Sequence, residues 1–165
     1  MNNRKVIAFM LSLTILCPLG DVAMQGATNT IVASATEGNQ TPTDELDFEI
    51  DDDGTITKYK GYATDVVIPS KTRCGLTKTI GYQSFWDNES LESVIIPEGV
   101  GQIQWSAFEN CFLLKKVKLP NSLTTIHERT FFCCYSLTNI TIPSGVTTIG
   151  DDAFYGCNSL DTVYV

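Results

Sequence analysis

A set of apolar residues recurs every 23 positions through the second half of this 165-residue chain. In each of four units the same places hold a phenylalanine, an isoleucine, a leucine and two further aliphatic residues. The columns are Phe85, Phe108, Phe131 and Phe154; Ile80, Ile103, Ile126 and Ile149; Leu91, Leu114, Leu137 and Leu160; Val94, Val117, Ile140 and Val163; and Ile96, Leu119, Ile142 and Val165. A fixed period of about 20 to 50 residues is typical of a solenoid, in which each repeat forms one coil that stacks on the next. Solenoids present extended surfaces to partners and rarely build reaction centres.

Each repeat is predicted to contain one short strand that ends at a proline. In the first regular repeat, Val94 and Ile96 alternate with Ser93 and Ile95, so the two pairs point to opposite faces of the strand. Proline then ends the strand, because it has no N–H group to donate to a neighbouring strand. The prolines are Pro97, Pro120 and Pro143. The aliphatic columns therefore predict the inner face of a sheet, and the residues between them predict its outer face.

Residues 1–35 are predicted to be a signal peptide. A short basic start precedes an apolar run over residues 6–19, and a small-x-small pattern ends at Ala35. We place cleavage after Ala35, with Ala27 as the alternative site. A lipoprotein is a second interpretation because of Cys17, although the residue before it is a bulky leucine. The apolar run is shorter than the about 20 residues that span a bilayer, and no later segment is apolar for that length.

The rest of the chain divides into three predicted parts. Residues 36–46 are polar and predict a linker. Residues 47–79 predict an atypical capping unit with a β-hairpin, in which residues 48–50 and 55–57 flank an Asp-Gly turn. Residues 80–165 predict the regular solenoid, whose last unit is incomplete.

The repeat motif resembles one known family. Leu-x-x-Val-x-Ile-Pro followed by Ile-Gly-x-x-Ala-Phe-x-x-Cys is similar to the BspA-type bacterial leucine-rich repeat, and its fullest copy here runs over residues 149–160. The chain departs from that pattern at Gln104 and His127, where the motif has glycine, and at Asn88, where it has cysteine. The resemblance implies a mostly β, right-handed leucine-rich-repeat solenoid with an N-terminal hairpin cap. It also implies a secreted or cell-surface protein, since members of the family are displayed in that way and some are adhesins for host matrix proteins.

Charge and residue content exclude several classes of function. The formal net charge is −8, and loss of residues 1–35 with Arg4, Lys5 and Asp21 leaves about −9. An acidic chain is not expected to bind nucleic acid, because phosphate binding requires clustered lysine and arginine. The only histidine is His127, and no Gly-x-Ser-x-Gly motif is present. We therefore predict neither an enzyme nor a cofactor.

An acidic segment in the predicted hairpin superficially resembles a calcium loop. Asp51, Asp52 and Asp53 precede Gly54, but Lys60 stands where the EF-hand register requires an acidic ligand. A solvated hairpin turn explains the segment without a metal, and we predict no metal site.

Five cysteines follow the predicted cleavage site. Cys111, Cys134 and Cys157 share one column, so stacking brings their backbones within about 5 Å of each other. That spacing permits a disulfide, but parallel side chains rarely have the torsion that one requires, and buried free thiols are favoured. Cys74 and Cys133 lie outside the column and are the candidates for reactive or intermolecular thiols.

The outward positions of the strands form a candidate partner-binding strip. Its residues are Ser93, Ile95, Lys115, Lys116, Lys118, Asn139, Thr141 and Tyr164. The three lysines make a basic spot that suits an acidic protein loop or a glycan, whereas the alternative is a solubilising face on which lysine discourages edge pairing. Four strands give a strip of roughly 300 Å². A stable interface uses about 800 Å² per partner, so this strip alone predicts weak binding.

Two functions are compatible with these features. The first is a non-catalytic, adhesin-like module, secreted or held at the cell surface, that binds a host or matrix protein or glycan. The second is a structural unit that self-associates by stacking through its last coil, which has no polar cap in this sequence. A fragment of a longer array would end in the same way.

Overall fold

A computed structural model describes residues 41–165, and the predicted signal peptide lies outside the described residues. The described chain consists of a 3-10 turn at Glu45–Asp47 followed by thirteen short strands. The strands are β1 (Phe48–Ile50), β2 (Thr55–Tyr59), β3 (Asp65–Val67), β4 (Lys71–Thr72), β5 (Gly75–Leu76), β6 (Thr79–Ile80), β7 (Ser93–Ile95), β8 (Gln102–Ile103), β9 (Lys116–Lys118), β10 (Thr125–Ile126), β11 (Asn139–Thr141), β12 (Thr148–Ile149) and β13 (Thr162–Tyr164). No helix in this part of the chain is long and apolar enough to cross a membrane.

Every regular coil contributes one strand to each of two parallel ladders. The first ladder has the order β2-β6-β8-β10-β12 and is extended by β1, which pairs with β2 in the antiparallel direction. The second has the order β3-β7-β9-β11-β13. Residues one repeat apart are direct partners, as in Ile103 with Ile126 and Val94 with Val117. The predicted β-solenoid with a 23-residue period is therefore confirmed.

A third set of hydrogen bonds joins the turns that carry the phenylalanines. In the first of them, Gln83, Phe85 and Asp87 donate their backbone N–H groups to carbonyls of the next coil. The chain bends around each phenylalanine because the residues two before and two after it have positive φ. These residues are Gln83 and Asp87, Ser106 and Asn110, Arg129 and Cys133, and Asp152 and Gly156. Aspartate, asparagine and glycine adopt this conformation more readily than other residues, and three of these four turns contain one or more of them.

The core is a stack of rings surrounded by the aliphatic columns. Phe85 and Phe108 have ring centroids 4.8 Å apart, and Phe108 and Phe131 follow at 5.4 Å with nearly parallel planes. Phe154 continues the stack at 5.4 Å from Phe131. The leucine, isoleucine and valine columns complete the cluster of buried residues. Parallel, offset rings at these distances attract one another beyond the gain from burial alone, by about 0.5–1.5 kcal/mol per pair.

The hairpin predicted for residues 48–57 is present and closes one end of the stack. The Asp51 carboxylate accepts hydrogen bonds from the backbone N–H groups of Asp53 and Thr55, at 3.1 and 2.8 Å, which fixes the turn. Gly54 has φ +82° and lies against the Leu76 carbonyl, so a side chain would not fit there. Thr43, in the predicted linker, covers the outer edge of β3 by donating its N–H to Val67 and accepting one from it.

The opposite end of the described chain is a coil with open faces. Ile149 and Val163 are 49% and 48% exposed. Their counterparts one coil earlier, Ile126 and Ile140, are 0% and 1% exposed. The difference arises because each coil covers the one before it.

Candidate functional site

The outer face of the second ladder brings the predicted strip residues into rows. Ser93 lies opposite Lys116, which in turn lies opposite Asn139. Ile95 lies opposite Lys118, and Thr141 opposite Tyr164. Five of these side chains are exposed, whereas Ser93 and Ile95 are half-buried. The structure therefore places these seven predicted residues on one face of the sheet.

The basic spot on this face is partly neutralised by its neighbours. Lys115 precedes β9, and its Nζ lies 2.8 Å from a carboxylate oxygen of Glu92 one coil earlier. Exposed ion pairs of this kind contribute little to stability, but they reduce the charge that a partner meets. Of the three predicted lysines, Lys115 is therefore paired with an acidic side chain.

Asp65 and Val67, which are not among the predicted strip residues, extend the same face by one strand. They lie opposite Ser93 and Ile95. The Ser93 hydroxyl donates a short hydrogen bond to the Asp65 carboxylate. That bond, a second from Thr64 and the charges of Lys116 and Lys115 lower the pKa of Asp65. The signal was available, because Asp65 stands four residues before Pro69 as Ser93 does before Pro97.

A second surface lies along the turns around the phenylalanines and is rich in exposed aromatic residues. Two shallow grooves of about 670 and 510 Å³ lie next to each other and share Lys58, Tyr59, Trp86 and Asp87 in their walls. Tyr62 lines the first groove, and Tyr82 lines the second. This surface was not predicted from the sequence, because its residues lie beside the buried columns and not within them.

The column cysteines are free thiols, as the sequence favours. The Cys111 thiol donates a hydrogen bond to the Phe85 carbonyl at 3.1 Å, and Cys134 and Cys157 repeat the contact one and two coils later. Burial raises the pKa of Cys111 to about 12 and that of Cys157 to about 11. Burial also raises the pKa of Cys134. These thiols are held protonated and therefore do not act as nucleophiles at neutral pH.

The two cysteines outside the column differ from each other. Cys133 is a free, half-buried thiol at a position of positive φ. Cys74 is not among the free thiols of the described residues. A reactive thiol therefore remains a prediction for Cys133 only.

His127 packs against an aromatic ring and takes part in a hydrogen bond within its own turn. Its ring lies 4.9 Å from that of Trp105 in the preceding coil, and its carbonyl accepts a hydrogen bond from the Thr130 hydroxyl. Within residues 41–165, histidine, cysteine and acidic side chains form no group of three that could hold a metal ion. The described surfaces offer a partner hydrogen-bonding groups, charged side chains and aromatic ring faces.

A stack of near-identical coils with partner-facing outer surfaces defines the class of repeat-based interaction modules. The family model of the BspA type leucine-rich repeat region matches residues 59–165 with six copies, and the chain belongs to this family. The resemblance noted in the repeat motif is thereby confirmed. No curated protein sequence matches the chain.

Several solved bacterial leucine-rich-repeat structures are similar. A protein from Bacteroides capillosus is 35% identical with a TM-score of 0.62, over 71% of this chain and 91% of that one. The Treponema pallidum leucine-rich-repeat protein is 26% identical with a TM-score of 0.62, over 74% of this chain and 71% of that one. The pneumococcal vaccine antigen PcpA is 25% identical with a TM-score of 0.62, and the match covers 68% of this chain and 27% of PcpA.

Proposed function

We propose that this chain is a secreted or surface-displayed, adhesin-like module that binds an extracellular protein and catalyses no reaction. The observation that carries the proposal is the continuous outer face of β3, β7, β9, β11 and β13, whose side chains are aligned by the register of the strands. Lys116 and Lys118 lie at the centre of this face, on the middle strand. A basic centre on an acidic chain selects an acidic loop on the partner, since charge complementarity guides encounter and orientation.

The size of the face sets the expected strength of binding. Five strands spaced at about 4.8 Å span roughly 20 Å, so the contact area remains well below the about 800 Å² per partner of a stable complex. Binding by one copy is therefore weak, and display of many copies on a surface would raise the apparent affinity through multivalency. The predicted signal peptide, and the description of PcpA as a vaccine antigen, are compatible with such display.

The test is charge reversal on this face. Lys115, Lys116 and Lys118 are changed together to glutamate, and binding to a panel of purified extracellular-matrix proteins is measured with densely immobilised protein. The matched control changes Lys71, Arg73 and Lys78 to glutamate, which alters the net charge equally but away from this face. We expect the first variant alone to lose binding. Equal binding by both variants would refute this face as the site.

Stacking between copies is a second candidate, favoured by the exposure of the last described coil. Ile149 and Val163 leave apolar surface open on that coil, and β12 and β13 are edge strands of their ladders. The other end is covered by β1 and Thr43, so two copies would meet through their last coils. Light scattering over a concentration range tests this: a dimer that dissociates when Val163 is changed to lysine supports it, and a monomer at all concentrations contradicts it.

A further inference from the structure

The exposed aromatic residues on the turn side of the solenoid fall into two groups. In the first group each ring is paired with the ring of a neighbouring coil: Phe112 with Tyr135 at 5.2 Å, Phe132 with Tyr155 at 5.2 Å, and Trp105 with His127 at 4.9 Å. In the second group, Tyr62, Tyr82 and Trp86 stack on no other ring within the described residues. The rings of the second group therefore have neither face covered by another ring, whereas each ring of the first group has one face against its partner.

All three unpaired rings line the two adjoining grooves, and Trp86 belongs to both. Tyr62 is 90% exposed and Trp86 is 48% exposed. Isolated exposed aromatic side chains need no explanation, but three unpaired rings along one concave surface mark a binding site. The grooves, of about 670 and 510 Å³, are open and shallow, which suits a ligand that lies along the surface.

The loop that carries Tyr62 is anchored to the core. The Tyr59 ring stacks on Phe85, and its hydroxyl oxygen accepts a hydrogen bond from the Ala63 N–H group at 3.2 Å. Gly61 packs against the Tyr59 ring so closely that an added Cβ would lie 2.4 Å from the hydroxyl oxygen. The backbone on both sides of Tyr62 is thus fixed by Tyr59, which holds this exposed residue in place beside the groove.

The polar groups of the first groove indicate the chemistry of the ligand. Lys58 and Lys60 are offset by Asp87 and Glu89, so the groove has balanced charge although the whole chain is strongly acidic. Asn88 uses its Oδ1 to accept three hydrogen bonds from its own turn, and none of these involves its amide nitrogen. Donors and acceptors are therefore mixed beside ring faces, which suits an uncharged ligand with hydroxyl groups and an apolar C–H face.

We propose that the two adjoining grooves, lined by Tyr62, Tyr82 and Trp86, together bind a neutral saccharide chain. Pyranose rings place their C–H faces on the aromatic side chains, and their hydroxyl groups bond the lysine, asparagine and carboxylate groups between them. The site is separate from the strand face of the proposed function and does not depend on it. Asp87 and Glu89 disfavour a polyanionic glycan by charge repulsion. An apolar peptide is disfavoured because it would bury the four charged side chains of the first groove.

Affinity electrophoresis tests the proposal, with the whole chain run in gels containing a soluble β-glucan, a mannan, a galactomannan or heparin. The variants are Trp86→Ala and Tyr62→Ala. The matched control is Trp105→Ala, because Trp105 is similarly exposed at 51% but stacks on His127 outside the grooves. We expect retardation by at least one neutral polysaccharide, weakened about tenfold in the first two variants and unchanged in the control.

Three results would overturn the proposal: retardation by heparin alone, equal weakening in Trp105→Ala, or no retardation in any neutral gel. Circular dichroism establishes that each variant is folded, and Tyr62→Ala keeps the test valid if Trp86→Ala does not fold. The variant with Lys115, Lys116 and Lys118 changed to glutamate should bind the polysaccharide normally. If this variant loses protein binding but still binds the polysaccharide, the two ligands bind at different surfaces.

Discussion

The Tyr59 ring stacks on Phe85 with centroids 5.0 Å apart, although the two residues do not keep the 23-residue step of the other rings. Tyr59 is thus the first member of the aromatic stack and extends it into the capping unit. The departure from the period arises from the β4–β5 hairpin, which makes the segment from Pro69 to Ile80 five residues longer than the regular segment from Pro97 to Ile103. The loop that follows Tyr59 and carries Tyr62 is two residues shorter than its counterpart after Phe85. One residue therefore belongs to both the core and the wall of the proposed saccharide groove.

The central ring of the stack should be the most costly to remove. Phe108 is fully buried between Phe85 and Phe131, so Phe108→Ala leaves a cavity and is expected to lower the free energy of unfolding by about 3–5 kcal/mol. Phe154→Ala is the control, since Phe154 is only partly buried. Denaturant unfolding followed by circular dichroism measures both, and equal losses would contradict the stacked core.

The column thiols predict a loss of stability at alkaline pH. The pKa of Cys111 is raised to about 12 in the folded chain, whereas an unfolded thiol titrates near 8.5. The folded state then binds more protons above pH 8.5, so stability is full below that pH and falls towards pH 12. Denaturant unfolding at pH 7 and pH 10 should show the fall, and Cys111→Ala should reduce it.

Thiol reactivity should separate Cys133 from the column. We expect a thiol-specific reagent at pH 7.5 to modify Cys133 in the native chain and to reach Cys111 and Cys134 only after unfolding, because those two are fully buried. The control is Cys133→Ser, which should abolish the rapid modification of the native chain. If mass spectrometry showed that Cys134 is modified rapidly in the native chain, the burial of that residue would be contradicted.

Asp65 should weaken the attraction of anions to the strand face. Its pKa is lowered, chiefly by the hydrogen bond from Ser93, so its carboxylate stays charged near Lys116 at neutral pH. Asp65→Asn is therefore expected to strengthen binding of a polyglutamate probe, most clearly at low ionic strength. A titration at two salt concentrations measures this, with Asp52→Asn, in the exposed β1–β2 turn away from this face, as a control for the same change in net charge. Equal effects of the two variants would contradict a local role for Asp65.

The anchoring of the Tyr62 loop can be tested through Tyr59. Tyr59→Phe keeps the ring in the stack but removes the hydroxyl that accepts the Ala63 N–H bond. We expect a small loss of stability, about 1 kcal/mol, and faster hydrogen exchange at the Ala63 amide. Unchanged exchange at Ala63, measured by NMR, would show that the loop is held in another way.

The inward-facing residues of this structure could be predicted from the sequence, because burial repeats apolar residues at a strict 23-residue step. The phenylalanine, isoleucine and leucine columns face inward wherever the 23-residue step is kept, and a proline follows β3, β7, β9 and β11 of the second ladder. The ladder formed by β6, β8, β10 and β12 was not predicted as strands, since each has only two residues and contributes a single inward isoleucine.

The outward-facing residues could be predicted only on the strands, where the register aligns equivalent positions of successive coils. The rows of Ser93, Lys116 and Asn139 follow from the repeat, whereas the pairing of Lys115 with Glu92 depends on side-chain conformation. The groove around Trp86 could not be predicted, because it is formed by an irregular loop that lies beside a regular turn. Pairing of exposed rings, which distinguishes Trp105 from Trp86, likewise depends on which residue occupies the neighbouring coil.

The identical hydrogen bonding of successive turns makes each coil an exchangeable unit. Phe85 donates its backbone N–H to Ala107, and Phe108 donates to Thr130 in the same geometry. Excision of residues 104–126 would join Ile103 to His127 and place Phe131 where Phe108 now lies against Phe85. Because each coil contacts only its neighbours, the array can change its length by whole coils while the remaining coils keep their structure. The width of the strand face would then change by one strand at a time, which allows its reach to be adjusted without any redesign of the core.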